Sequence, residues 1–272
     1  MVKQAIIPLA GLGTRLLPLS SVIPKELLPI NGKPNLEYIM EECLQAGIRQ
    51  FIFIVPRRST SIKKYFFNDN FYKKIIKRKK NDRRLKEVYR RIKRYQGMIK
   101  FVYQNKPKGT GHAVLQCKKY LNGSHFLMLL ADDLIVKKNC SKEMITLHKK
   151  TKGSVIATRK VERRTVSRWG ILGFKNKQRN SFLINEVIEK PKVSEAPSNY
   201  AIIGRYILPK KILSVLKHQK KGRGGEIHIT DAIKTLVKRN EKFYGNIFKG
   251  KYIDCGTIES FIKSGLTISK YL

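Results

Sequence analysis

Acidic residues are scarce in this 272-residue sequence, which contains 19 Asp and Glu against 58 Lys and Arg. The formal net charge is therefore +39 at pH 7. A charge of this size attracts nucleic acid and other polyanions. The basic residues are spread over the whole length, however, and no stacking-aromatic motif of an RNA-binding module is present. Specific nucleic-acid binding therefore ranks last among the functions considered, and solvated lysine-rich faces are the simpler interpretation.

Long apolar segments and cysteine motifs are lacking as well. No uninterrupted apolar run approaches the roughly 18 residues that a membrane span requires. A single Lys precedes the first apolar run, which is unlike a secretory signal peptide. The four cysteines have no Cys-x-x-Cys spacing, and the five histidines have no metal-ligand spacing. We therefore expect a cytoplasmic protein with reduced, mostly buried thiols and no membrane partner.

Some apolar segments are continuous, strand-like runs, and others have their apolar residues at helical spacing. Residues 5–9 and 51–55 have the character of buried strands, and residues 35–46 between them have helical spacing. Beyond residue 150 the segments become shorter and more strand-like, yet no polar linker separates them. We predict one α/β domain over residues 1–272, with a Rossmann-like, mixed but mostly parallel central sheet flanked by helices. The C-terminal half is expected to contain a smaller β-rich portion.

A glycine-rich turn follows the first predicted strand. Gly11 and Gly13 allow the backbone to approach a ligand and to direct its N–H groups toward anionic oxygens. Arg15 and Lys25 add a bidentate cation and a point charge, a combination suited to polyphosphate. The turn differs from a dinucleotide fingerprint because position 16 is Leu, and it lacks the Gly-Lys-Ser/Thr ending of a Walker loop. A tight turn without a ligand is the alternative, which the added charges disfavour.

Two adjacent carboxylates, Asp132 and Asp133, end the most apolar predicted strand, residues 125–131. Ligands of open α/β sheets bind at the carboxyl ends of strands, so this pair is a candidate metal site. A helix cap or turn pair is the alternative, which the apolar residues that follow disfavour. A second glycine turn, containing Gly109 and Gly111, precedes a predicted helix and offers another backbone cradle.

At these positions the chain resembles the sugar-1-phosphate nucleotidyltransferases. Their opening reads Ala-Gly-x-Gly-Thr-Arg, as at residues 10–15, followed by Pro-Lys-Glu/Gln-Leu-Leu-Pro, as at residues 24–29. The resemblance is strongest to the bacterial UTP–glucose-1-phosphate uridylyltransferases and extends almost to the C-terminus. It implies a mainly nucleotide-binding half, residues 1–150, and a mainly sugar-phosphate-binding half, residues 151–272, that includes the β-rich portion. Homo-oligomers are common in the family and are expected here.

The resemblance also implies a role for each matching residue. Contacts to the nucleotide fall to Ala10, Gly11, Gly13, Thr14, Glu26, Gln104, Gly109 and Asp133. The catalytic cations, which bind the triphosphate and the departing pyrophosphate, are Arg15 and Lys25. Contacts to the sugar phosphate fall to Gly170, Glu189 and Lys190, and the Mg²⁺ ligands are Asp132 and Asp254.

The reaction implied is Mg²⁺-dependent transfer of UMP from UTP to glucose 1-phosphate, giving UDP-glucose and pyrophosphate. Direct in-line attack needs no protein nucleophile, because the attacking phosphate oxygen is already anionic. Two alternatives remain: a thymidylyltransferase that uses dTTP, and a non-catalytic homologue that binds nucleotide sugar and regulates a partner. Thr110, Ala131 and Trp169 depart from the family's usual Leu, Gly and Tyr. The first two border the expected nucleotide pocket, so base preference is the least constrained feature.

Overall fold

The computed structural model describes residues 2–271 and contains strands, helices and short 3₁₀ segments. The strands are β1 (Gln4–Pro8), β2 (Pro29–Ile30), β3 (Lys33–Pro34), β4 (Gln50–Val55), β5 (Ile99–Tyr103), β6 (His125–Leu129), β7 (Asp133–Val136), β8 (Ser154–Lys160), β9 (Gly170–Lys177), β10 (Ser181–Glu189), β11 (Tyr200–Pro209), β12 (Phe243–Ile247) and β13 (Lys251–Asp254). The helices are α1 (Asn35–Gln45), α2 (Ser61–Phe67), α3 (Asp69–Arg78), α4 (Arg83–Gln96), α5 (Thr110–Leu115), α6 (Cys140–Thr151), α7 (Ile212–His218), α8 (Ile229–Lys238) and α9 (Ile258–Ser269).

Within the described residues, nine strands form one large sheet in the order β5-β4-β1-β6-β11-β8-β12-β10-β9. The first four strands in this order pair in parallel, as strand–helix–strand units require. From β6 onward antiparallel pairing prevails, with β8–β12 as a parallel exception. The predicted mixed α/β sheet with flanking helices is confirmed. Parallel pairing predominates only in its N-terminal part, whereas β11 pairs antiparallel with both of its neighbours and β9 and β10 form a hairpin.

Both faces of this sheet are buried. Neighbouring residues of β1 alternate between the two faces, since Ile7 belongs to one apolar cluster and Ile6 to the other. The first cluster includes side chains from α1, α2, α4 and α6, and the second includes side chains from α5, α7 and α8. This double covering explains why the predicted strands are continuous apolar runs.

The basic segment after β4 folds into three helices, α2, α3 and α4. The helix predicted after the second glycine turn is the short α5, and a separate 3₁₀ turn, Lys118–Tyr120, follows it. Among residues 2–271, no helix combines the length and the hydropathy needed to cross a membrane. Cys43, Cys117, Cys140 and Cys255 are buried free thiols, as expected.

Candidate active site

The glycine-rich loop follows β1, and its two glycines have different surroundings. Gly13 has a left-handed φ of 63°, and a Cβ added there would lie 3.0 Å from Ser20 Cβ. The Ser20 hydroxyl also donates to the Gly13 carbonyl at 2.8 Å. A Cβ added to Gly11 would meet no heavy atom within 4 Å. Gly13 is therefore required by the loop's own conformation, whereas Gly11 borders open space.

That open space is a cavity of about 230 Å³ beside the loop, whose lining includes Gly11, Gly13, Lys25 and Glu26. Ala10, which precedes Gly11 in the loop, is buried, and Thr14 is exposed. The loop continues through short 3₁₀ turns, Thr14–Leu16 and Lys25–Leu27, which position Arg15 and Lys25. The predicted phosphate-handling loop thus forms one wall of a cavity.

Asp132, in the turn between β6 and β7, faces both cations of this loop. Lys25 Nζ lies 2.6 Å from Asp132 Oδ2, and Arg15 Nη2 lies 3.7 Å from the same oxygen. Burial opposes both charges of the closer pair, but their attraction prevails. The pKa of Asp132 is consequently below its ordinary value and that of Lys25 is above it. Two stretches about 107 residues apart in sequence therefore meet here.

Asp254 joins this group from the end of β13. Its backbone pairs with that of Asp133 in the small β13–β7 sheet, and the Cys255 N–H donates to the Asp132 carbonyl at 2.8 Å. The Gly256 N–H donates to Asp254 Oδ1 at 2.7 Å. A Cβ added to Gly256 would lie 2.8 Å from Arg15 Nη2 and 3.0 Å from Asp254 Oδ1. The bare Gly256 therefore leaves room for a cation and a carboxylate to lie side by side.

Asp133 is oriented differently from Asp132, although the two are adjacent. Its Oδ1 accepts from the Tyr252 hydroxyl at 2.6 Å, and its Oδ2 accepts from the Gly204 N–H at 3.1 Å. Burial, together with the charge of Asp132, raises the pKa of Asp133 to about 6. A Cβ on Gly204 would lie 2.4 Å from Asp133 Oδ2, so this glycine makes the space for the carboxylate. The nucleotide contact predicted for Asp133 stays a prediction, and both of its oxygens are engaged by protein donors.

Two side chains expected to contact the nucleotide, Glu26 and Gln104, are buried. Glu26 is 3% exposed, and burial raises its pKa to about 7 despite the opposing charge of Lys25. Gln104 is buried, with its Nε2 2.7 Å from His112 Nδ1. Gly109 has φ of 98°, and a Cβ there would lie 2.7 Å from the Ile227 carbonyl oxygen. Gly109 is therefore needed for close backbone packing. His112, which was not among the candidate site residues, contacts Gln104, a candidate nucleotide-binding residue.

The predicted sugar-phosphate residues form a second cluster where β9 pairs with β10. Gly170 lies opposite Glu189, and an added Cβ would be 3.2 Å from Glu189 Oε2. The Thr230 hydroxyl donates to that oxygen at 2.9 Å. Lys190 Nζ is 3.9 Å from Glu189 Oε1, and the Lys190 backbone has an unusual φ of 46°. Its N–H donates to the Trp169 carbonyl at 3.0 Å, which holds this conformation.

Thr230 lies in the first turn of α8, which begins at Ile229. The Thr230 hydroxyl is free for Glu189 because no side chain caps this helix. The helix thus supports the sugar-side carboxylate.

Tyr252, an aromatic residue that the sequence interpretation missed, lies between the two clusters. Its hydroxyl donates to Asp133, and its ring packs edge-on against Trp169 with ring centroids 6.1 Å apart. Because the Trp169 carbonyl accepts the Lys190 N–H, these contacts link Asp133 on the loop side to Lys190 on the sugar side.

The profile of the family described as "Nucleotidyl transferase" matches residues 4–270. The chain belongs to this family. UTP–glucose-1-phosphate uridylyltransferase 2 of Staphylococcus saprophyticus is 37% identical over 264 residues, which is 97% of this chain and 90% of that relative. A crystal structure of UDP-glucose pyrophosphorylase complexed with UDP-glucose has a TM-score of 0.87 and 34% identity, and covers 99% of both chains.

A UTP-bound UGPase from Acinetobacter baumannii has a similar structure, with a TM-score of 0.89 and 32% identity over 98% of this chain and 93% of its own. The predicted family resemblance is confirmed. Nucleotidyl transfer is accordingly the reaction class of the fold and of the family.

Proposed function

We propose that this protein transfers UMP from UTP to glucose 1-phosphate, giving UDP-glucose and pyrophosphate. The observation that carries the proposal is the convergence of Arg15, Lys25, Asp132 and Asp254 beside the glycine-rich loop. The names of the similar proteins, UTP–glucose-1-phosphate uridylyltransferase and UDP-glucose pyrophosphorylase, support the choice of substrates. Two anionic phosphates must approach each other in this reaction, so neutralising and positioning them is the main catalytic requirement.

The loop cations suit the triphosphate. Lys25 is held at 2.6 Å by Asp132 and lies in the wall of the cavity, and phosphate oxygens entering there would become its second partner. Arg15 is 61% exposed on the same side, where its planar guanidinium can bind the leaving pyrophosphate in a bidentate manner. The attacking oxygen of glucose 1-phosphate is already anionic, which removes the need for a general base.

Asp132 and Asp254 are the proposed Mg²⁺ ligands. Among residues 2–271, no group of three or more His, Cys, Asp or Glu side chains could hold an ion. Two carboxylates still fit Mg²⁺, which prefers oxygen ligands and is commonly completed by substrate phosphates and water. When bound, the ion would stabilise negative charge on the transferred phosphoryl group. Asp133 would then support this pair from behind through its bonds to Tyr252 and Gly204.

The base and sugar contacts follow from the buried polar groups. Glu26 and Gln104 offer acceptors for the N3–H donor of uracil, with the backbone of Ala10, Gly11 and Gly109 nearby in sequence. Thymine presents the same hydrogen-bonding edge, so dTTP remains the alternative substrate. On the sugar side, Glu189 would accept glucose hydroxyls and Lys190 would bind the sugar phosphate.

The test is an assay of the purified protein with glucose 1-phosphate and either UTP or dTTP, with and without Mg²⁺. We expect release of pyrophosphate that requires Mg²⁺ and a clear preference for UTP. A large preference for dTTP would replace the uridylyltransferase proposal with the thymidylyltransferase alternative. Binding of UDP-glucose without any pyrophosphate release would favour the non-catalytic regulatory alternative.

A further inference from the structure

A completely buried arginine lies directly behind the turn that carries Asp132. Arg205, in β11, is 0% exposed, and its Nε and Nη2 donate to Glu42 Oε2 at 3.1 and 2.9 Å. Glu42, on α1, also accepts from the Ser141 N–H at 3.0 Å and from the Ser141 hydroxyl at 2.6 Å. This arrangement joins α1, α6 and β11 through one ion pair.

The remaining donors of Arg205 go to the turn itself. Nη1 donates to the Leu130 carbonyl at 3.1 Å, and Nη2 donates to the Asp133 carbonyl at 2.6 Å. These two carbonyls flank Asp132 on either side, and Nη1 also donates to the Gly204 carbonyl at 3.1 Å. Buried carbonyls in an irregular turn need donors, and a planar guanidinium with five N–H groups can serve several at once.

Stability alone is a poor explanation for this pair. Replacing a buried ion pair with apolar side chains of similar volume is often neutral or stabilising, because desolvation offsets the attraction between the charges. An apolar pair would, however, leave the carbonyls of Leu130 and Asp133 without the donors that fix the turn. The geometry therefore indicates a role for Arg205 that depends on where its N–H groups point.

We propose that the Arg205–Glu42 pair is a positioning device for Asp132, holding the turn so that the Asp132 carboxylate faces Lys25 and a divalent cation. Glu42 fixes the guanidinium from one side, and the guanidinium fixes both ends of the turn from the other. Arg205 touches neither substrate nor metal in this scheme. The inference rests on the proposed function of the same site.

The direct test is Arg205→Lys, which keeps a positive charge for Glu42. A single ammonium group cannot reach Glu42 and both turn carbonyls together. We expect kcat to fall by about 10-fold or more and the Mg²⁺ concentration for half-maximal rate to rise by about 10-fold, the range seen when groups behind metal ligands are changed. The KM for glucose 1-phosphate should change less than about twofold, because the hydrogen bonds of Arg205 go to Glu42 and to carbonyls around the Asp132 turn rather than to Lys190 or Glu189.

A second readout does not depend on turnover. Binding of Mn²⁺, measured by electron paramagnetic resonance with and without UTP, should weaken by about 10-fold in Arg205→Lys. If that variant does not fold, the double variant Glu42→Leu/Arg205→Met removes both charges together and is measured in the same way. We expect it to fold and yet to show the same weakened Mn²⁺ binding.

The matched control is Arg91→Lys. Arg91 Nε lies 2.8 Å from an oxygen of Glu37, whose side chain is 0% exposed, and this pair joins α1 to α4. Arg91→Lys should alter thermal stability while leaving Mn²⁺ binding and Mg²⁺ half-saturation unchanged. The positioning role would be refuted if Arg205→Lys bound Mn²⁺ as tightly as the wild type, or if Arg91→Lys weakened binding equally. A wild-type protein without turnover would overturn the proposed function instead, while the Mn²⁺ comparison would still test Arg205.

Discussion

The glycine-rich loop and the Asp132 turn bring opposite charges to the same place, and the protein holds them very differently. Arg15 is 61% exposed and lies 3.7 Å from Asp132. The turn, by contrast, is fixed from behind by Arg205, which is 0% exposed. Preorganised charges cost little to use at the moment of reaction, whereas an exposed cation can adjust to an incoming phosphate. The comparison suggests a fixed carboxylate side and an adaptable cation side, and five substitutions test this distinction and the roles of the surrounding residues.

The largest effect should come from the fixed side. Asp132→Asn removes the charge that faces Lys25 and the proposed metal, so turnover should fall by on the order of 10³-fold or more. Circular dichroism should remain close to that of the wild type, because Asn has nearly the same shape. Asp82→Asn is the matched control, since Asn also caps helices well and Asp82 caps α4. Near-normal Mg²⁺-dependent rates for Asp132→Asn would remove the metal assignment.

Substitution of the two loop cations should lower turnover by different amounts, with the larger loss at the more firmly held cation. Lys25 is 19% exposed and paired at 2.6 Å, so Lys25→Met should lower kcat by about 100-fold. Arg15→Ala should cost only about 10-fold, because solvent already screens this exposed cation. Steady-state kinetics with UTP and glucose 1-phosphate would measure both. Equal losses in the two variants would contradict the distinction between a held and an adaptable cation.

On the sugar side the expected effect is smaller and confined to one substrate. Lys190→Ala should raise the KM for glucose 1-phosphate by about 10-fold and leave the KM for UTP nearly unchanged, since one charged hydrogen bond to the sugar phosphate is lost. Lys192→Ala provides the control, because that lysine is 82% exposed and two positions away. If both KM values rose together, the role assigned to Lys190 would be wrong.

The last prediction concerns stability rather than turnover, and its subject is Glu26, which is buried although it belongs to the loop side. Its folded-state pKa of about 7 lies above the usual 4.5. The stability associated with its protonated form is therefore fully present below pH 4.5 and is lost as pH rises through about 7. Glu26→Gln cannot ionise, so its free energy of unfolding should exceed that of the wild type increasingly with pH, by at most about 3 kcal/mol. Urea denaturation of Glu26→Gln and of the wild type at pH 5 and pH 8 measures this difference in unfolding free energy. A difference that is the same at both pH values would contradict the prediction.

The sequence was informative where charges stand in unusual surroundings. Arg15 and Lys25 follow a glycine turn, and Asp132 ends an apolar strand, so simple rules about strands and phosphate loops made them candidates, and the structure brings them together. Asp254 required the family resemblance, because no local pattern marks it as a site residue. The parallel N-terminal strands were predictable for a similar reason, since alternating strands and helices impose that pairing.

The supporting residues were not predictable from local patterns. Arg205 lies within a strand and meets Glu42 across 163 positions of sequence, so no spacing rule connects them. Tyr252 similarly reaches Asp133 over 119 positions. The prevalence of antiparallel pairing after β6 was missed because hairpin and crossover connections between short strands look alike in sequence. Contacts at long range, rather than local propensity, decide all three features.

The most direct test of the account is the structure of the protein crystallised with UDP-glucose and Mg²⁺. The account predicts a metal ion bound by Asp132 and Asp254, the diphosphate beside it, Lys190 on the sugar phosphate and the uracil near Glu26 and Gln104. A diphosphate bound away from Asp132 and Asp254, or a metal ion held by other residues, would contradict it.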